Sequence, residues 1–89
     1  VTGSRFTDVF RGAVIYDSDD VAIERNAFTR IGSDGVAARG ARDLTVALNT
    51  FSDFTPADAV KWHPDAIQLW SRGAPRANER IVIRGNVIR

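Results

Sequence analysis

Apolar and polar residues alternate along this chain in short runs. Val21 and Ile23 are separated by Ala22 and followed by Glu24; Leu44 and Val46 lie between Thr45 and Ala47; Ile81 and Ile83 lie between Val82 and Arg84. A period of two puts every second side chain on the same face, and β-branched residues at those positions favour strands. Helical periodicity is poor throughout.

The runs also recur. Residues 1–6, 23–28, 46–51 and 83–88 align, with starts spaced 22, 23 and 37 residues apart. A recurrence of this length is the mark of a solenoid, in which each coil packs only on its neighbours. Asn26, Asn49 and Asn86 share one repeat position, with Ser4 as the fourth member. Stacked asparagines at a tight turn would hydrogen-bond from coil to coil and tolerate left-handed backbone. Phe6, Phe28, Phe51 and Ile88 follow two residues later and should form an inward stack. A second strand repeats as 12–17, 34–39 and 65–70. This alignment points Val14, Tyr16, Val36, Ala38, Ile67 and Leu69 inward. It points Ile15, Asp17, Ala37, Arg39, Gln68 and Trp70 outward.

The run Val-x-Ile-x-x-Asn-x-Phe, followed by Asp-Gly-Val or Asp-Ala-Ile, resembles the parallel β-helix repeat of carbohydrate-active proteins. These include polysaccharide lyases, mannuronan C5-epimerases, polygalacturonases and phage tailspikes. The similarity covers nearly the whole chain, and one such architecture hosts many chemistries. It implies an all-β, right-handed parallel β-helix of three to four coils, near 1–22, 23–45 and 46–82, with the next starting at 83–89. It further implies a polysaccharide partner, an extracellular or periplasmic location, and a monomer as the full-length protein. With no methionine and no polar cap at either end, a piece of a longer β-helix is expected.

The third spacing exceeds the second by 14 residues. The excess falls on both sides of the strand at 65–70, as insertions at 55–64 and 71–80. Insertions on one face of a solenoid often carry the binding site. The first holds the only histidine, His63, and the only lysine, Lys61, beside Trp62. The second holds Arg72. Between them Trp70 faces outward, and an aromatic ring beside charged and amide groups suits a sugar. The candidate catalytic residues are therefore His63, Lys61, Asp65 and Asp34. His63 titrates near neutral pH. Asp34 and Asp65 occupy one position on successive coils, where stacked carboxylates shift each other's titration. Trp70, Gln68, Arg39, Arg72 and Trp62 are the candidate substrate-binding residues, with Arg39 one coil below Trp70 and able to stack on it.

Composition narrows the function classes. With 12 basic and 11 acidic residues the net charge is +1, so no electrostatic case exists for nucleic acid or an anionic membrane. No apolar run reaches the length of a membrane span. Without cysteine, disulfides and thiolate metal sites are excluded. Asp17, Asp19 and Asp20 offer oxygen ligands for calcium, but their spacing matches no calcium loop, and a solvated turn is the simpler reading. No cofactor is expected.

The leading expectation is a lyase or C5-epimerase acting on a uronate-containing polymer. Either reaction needs a base, an acid and a cation to neutralise the sugar carboxylate. The Asp-Pro-His-Glu motif of the epimerases is absent, and 63–65 echo it only loosely; the polygalacturonase signatures are absent too. The alternatives are a glycoside hydrolase using Asp34 and Asp65, or a non-catalytic binding or structural β-helix of adhesin or tailspike type.

Overall fold

The computed structural model describes residues 1–53, 65–70 and 76–89. The described residues are all-β, with ten strands: β1 (Arg5–Thr7), β2 (Ala13–Tyr16), β3 (Asp19–Glu24), β4 (Ala27–Thr29), β5 (Val36–Arg39), β6 (Arg42–Ala47), β7 (Thr50–Ser52), β8 (Ile67–Trp70), β9 (Glu79–Arg84) and β10 (Val87–Ile88). They form three parallel sheets, ordered β1-β4-β7-β10, β2-β5-β8 and β3-β6-β9. The chain visits the three sheets in strict rotation, so each circuit lays one strand on each sheet beside its predecessor. No helix among the described residues is long and apolar enough to cross a membrane.

The register matches the repeat. Phe6 pairs with Phe28, Phe28 with Phe51, and Phe51 with Ile88. Ile23 pairs with Val46, and Val46 with Ile83. The three phenylalanine rings stack at centroid distances of 4.8 Å and within 8° of parallel. Ile23, Phe28, Val36, Leu44, Val46 and Phe51 are fully or almost fully buried. The interior of the middle circuit is closed on both sides, whereas Ile83 and Ile88 of the last are exposed.

Asparagines bind the circuits together at one corner. The backbone N–H and Nδ2 of Asn26 both donate to Asn49 Oδ1, at 2.9 and 3.1 Å. The backbone N–H and Nδ2 of Asn49 donate to Asn86 Oδ1, both at 3.0 Å. Ser4 continues the column through its own N–H, which donates to Asn26 Oδ1 at 2.8 Å. Each Asn Nδ2 also donates to a carbonyl of the preceding circuit: Val1, Ile23 and Val46. The column thus satisfies amides that would otherwise be buried without partners.

The left-handed backbone expected at the asparagines lies one residue earlier, at Gly3, Arg25, Leu48 and Gly85, all with φ between 56° and 66°. Asp8, Arg30 and Asp53 form a second such column, and Asp20, Asp43 and Arg80 a third. The first two columns are corners at which the chain changes sheet, and the third lies one residue inside β3, β6 and β9.

One circuit departs from the expected facing. Ala13 and Ile15 point inward, while Val14 and Tyr16 are 45% and 49% exposed. The cause is steric. A Cβ on Gly12 would meet the Gly35 carbonyl oxygen and lie 2.5 Å from a ring carbon of Phe28, and one on Gly35 would lie 2.6 Å from the Ala66 carbonyl oxygen and 2.8 Å from Phe51. The glycines let the aromatic stack approach the backbone, so Gly12 aligns with Gly35 and not with Asp34. Phe6 to Gly12 spans one residue fewer than Phe28 to Gly35, so this turn holds the residue missing from the 22-residue circuit.

Vertical ion pairs line the exposed corners. Arg30 donates to both oxygens of Asp8, Arg42 to both of Asp19 and Arg80 to both of Asp43. In each, the arginine's hydrogen bonds hold the carboxyl below its usual range. Asp19 is also 2.7 Å from Arg76.

Candidate functional site

The outer face of the β2-β5-β8 sheet carries the most chemistry among the described residues. Its register sets Val14, Ala37 and Gln68 in one column and Tyr16, Arg39 and Trp70 in the next. Backbone bonds from Gly12 to the Asp34 carbonyl and from Gly35 to the Asp65 carbonyl align Arg11, Asp34 and Asp65 at the strand entrances. A cleft of about 350 Å³ opens here, lined by Arg11, Tyr16, Asp34, Gln68 and Trp70.

Aromatic groups form one wall. Trp70 meets Tyr16 edge-on, with centroids 5.7 Å apart and planes at 90°. The Arg39 guanidinium lies 4.6 Å from the centre of the Tyr16 ring, a cation–π distance, and 3.7 Å from the Asp17 carboxylate. Its Nε is buried with no hydrogen-bond partner among the described residues.

Asp34 lines the cleft as well. It is only 5% exposed. Burial pushes its carboxyl above the ordinary value of 3.8, and the neighbouring Asp65 carboxylate pushes the same way; Arg11 and the Asp65 backbone oppose them without cancelling the rise. With its amide nitrogen toward the carboxylate, Gln68 donates to Asp34 Oδ2 at 2.8 Å and Oδ1 at 3.1 Å.

Of the residues the sequence singled out, Asp34, Gln68 and Trp70 meet in this cleft. Arg39 borders it, but its guanidinium packs on Tyr16 rather than on Trp70, because the shifted facing of β2 brings Tyr16 into the same column. Asp65 is exposed beside Asp34 without lining the cleft. Lys61, Trp62, His63 and Arg72 lie outside the described residues, as does the insertion at 55–64. Arg11 and Tyr16 belong to the site and were missed. The glycine-to-phenylalanine spacing would have found both, since it fixes which residues of β2 face outward. Of the aspartates considered for calcium, Asp19 is held by Arg42 and Arg76, and the described residues contain no group of three or more acidic, histidine or cysteine side chains placed to hold a metal.

The aromatic wall offers flat apolar surface, the guanidinium groups offer fixed donors for carboxylates or hydroxyls, and Asp34 offers a carboxyl whose titration burial has raised. Comparison of the chain with family models, curated proteins and solved structures returns no match.

Proposed function

We propose that this chain is a segment of right-handed parallel β-helix whose outer cleft holds an acidic polysaccharide, with Asp34 as the proton-carrying group. The rotation of the chain through three parallel sheets supports the architecture, and parallel crossovers are right-handed in nearly all cases. The observation that carries the site is a nearly buried carboxyl, biased toward its protonated form, facing aromatic and arginine groups across an open cleft.

In this reading a sugar ring rests on Trp70. Arg11 and Arg39 neutralise uronate carboxylates, which acidifies the C5 proton by stabilising the developing enolate. Asp34 then delivers a proton, to the departing oxygen in a lyase or to the opposite face in an epimerase. Asp65, Lys61 and His63 are the candidates for the base. The reading places the protein outside the cytoplasm, where such polymers occur.

A glycoside hydrolase is the second reading. Adjacent parallel strands are about 4.8 Å apart, and Asp34 and Asp65 stand on adjacent strand entrances. Carboxyls about 5 Å apart suit a retaining mechanism.

The test is incubation with oligomers of alginate, pectate and glycosaminoglycan. A new unsaturated-uronate absorbance supports the lyase, altered C5 stereochemistry by NMR the epimerase, and new reducing ends without absorbance the hydrolase. Each should fall by at least about a hundredfold in Asp34→Asn. Binding without turnover, unchanged by Asp34→Asn, would leave only a binding module; no binding of any acidic oligomer would overturn the proposal.

A further inference from the structure

Asp34 has an unusual neighbour. Gln68 comes from the next circuit and reaches diagonally across the sheet to both oxygens of the one carboxyl. A carboxylate accepts hydrogen bonds only, whereas a carboxylic acid also donates one. A primary amide has both faces to offer. With its nitrogen toward Asp34 it donates twice to the carboxylate; turned over, its oxygen accepts the acid's proton. The neighbouring side chains match it less well: Arg11 only donates, Asp65 beside the cleft only accepts when ionised, Trp70 has a single ring N–H, and the Tyr16 phenol, which can do both, has a single oxygen and is not bonded to Asp34.

We propose that Gln68 is the positioning residue of this cleft, its amide turning over to hold the Asp34 carboxyl in one orientation in both protonation states. The proposal rests on the reading of Asp34 as the group that carries the proton. It also explains why Gln68 stands on the solvent side of the sheet yet bonds to a nearly buried group. A proton carrier that reoriented each time it titrated would lose its aim on the ligand, and aim is worth as much as acidity in such a step.

The charged groups around Asp34 are Arg11 from the stretch entering β2 and Asp65 from that entering β8, with Gln68 on β8 and the phenol of Tyr16 across the cleft. Removing Gln68 deletes two donors to a charged acceptor but only one acceptor for a neutral donor. Charge-assisted bonds are the stronger kind, so the loss falls mainly on the carboxylate. The Asp34 titration midpoint should therefore rise in Gln68→Leu, on the order of one pH unit.

The experiment is an NMR titration of the Asp34 carboxyl carbon and the Gln68 side-chain amide, in the parent, Gln68→Leu and Gln68→Asn. In the parent, the Gln68 amide resonances should move with the same midpoint as the Asp34 carboxyl. Gln68→Leu should raise that midpoint. Gln68→Asn, too short to span both oxygens, should fall between the two. A Gln68 amide that ignores the Asp34 transition, with an unchanged midpoint in Gln68→Leu, overturns the proposal. An Asp34 midpoint at the ordinary carboxylate value in the parent instead removes the reading of Asp34 as proton carrier. Both leucine and asparagine variants alter an exposed side chain, and an unchanged far-ultraviolet spectrum confirms that each has folded.

Discussion

At the scale of single residues, chemistry and stability pull against each other at Asp34. A carboxyl whose folded value is raised contributes stability below its unfolded value and loses it as pH rises through the folded one. The folded state therefore pays for keeping Asp34 ionised at neutral pH. Asp34→Asn keeps the shape and removes the titration, so its urea midpoint should exceed the parent's near pH 7. The gap should close toward pH 3, where both forms are neutral. Asp8, Asp19 and Asp43 have the opposite sign, their arginine-bonded carboxylates stabilising the fold above the ordinary value of 3.8 and losing that effect below it. They are common to both proteins and cancel in the comparison. The asparagine column was legible at this scale because three identical residues at one repeat position have a single economical use. The left-handed corner before each was not, since Arg25 and Leu48 carry no local sign of positive φ and are held there by the asparagine bonds on either side.

At the scale of elements, strand pairing followed from period-two alternation, but the facing of β2 did not. Val14 and Tyr16 are as apolar as Ala13 and Ile15, so local pattern cannot choose between the two faces. The choice is made by contact with another sheet. Phe28 needs an empty space at Gly12, and Phe51 needs one at Gly35. The relation predicts that Gly35→Ala destabilises by about 2 kcal/mol in chemical denaturation, the usual cost of overpacking. Phe51→Leu in the same chain should recover part of that loss, giving a coupling between the two positions that additive mutations lack. Equal and independent losses would mean that the Cβ clash is absorbed elsewhere.

At the scale of the whole molecule, the coil-on-coil repeat was legible because one circuit repeats another, its division among three sheets was not, and the site was only half legible. Asp34, Gln68 and Trp70 come from the second and third circuits, whose facing follows the sequence alternation. Arg11 and Tyr16 come from the first, whose missing residue shifted the reading. Burial predicts an ordering in stability. Val36, Ala37 and Ala38 of β5 and Leu44, Val46 and Ala47 of β6 are fully enclosed, whereas the inward Ala13 and Val21 on one side are only half-buried and Leu69 and Ile83 on the other are open. Hydrogen exchange should therefore be slowest in β5 and β6 and accelerate toward both edges. Uniform protection across all three circuits would contradict this.

The spacing of strand partners has a kinetic meaning as well. Most partners lie 22 or 23 positions apart, so fastening a fresh circuit to one already in place closes a loop of nearly constant size. The longest steps, from β6 to β9 and from β7 to β10, span 37 positions. Closure entropy grows only with the logarithm of length, so the added 14 positions cost about 0.4 kcal/mol. Assembly is then a chain of near-equal increments starting wherever two circuits first meet, and the longer steps add little to the cost of closure.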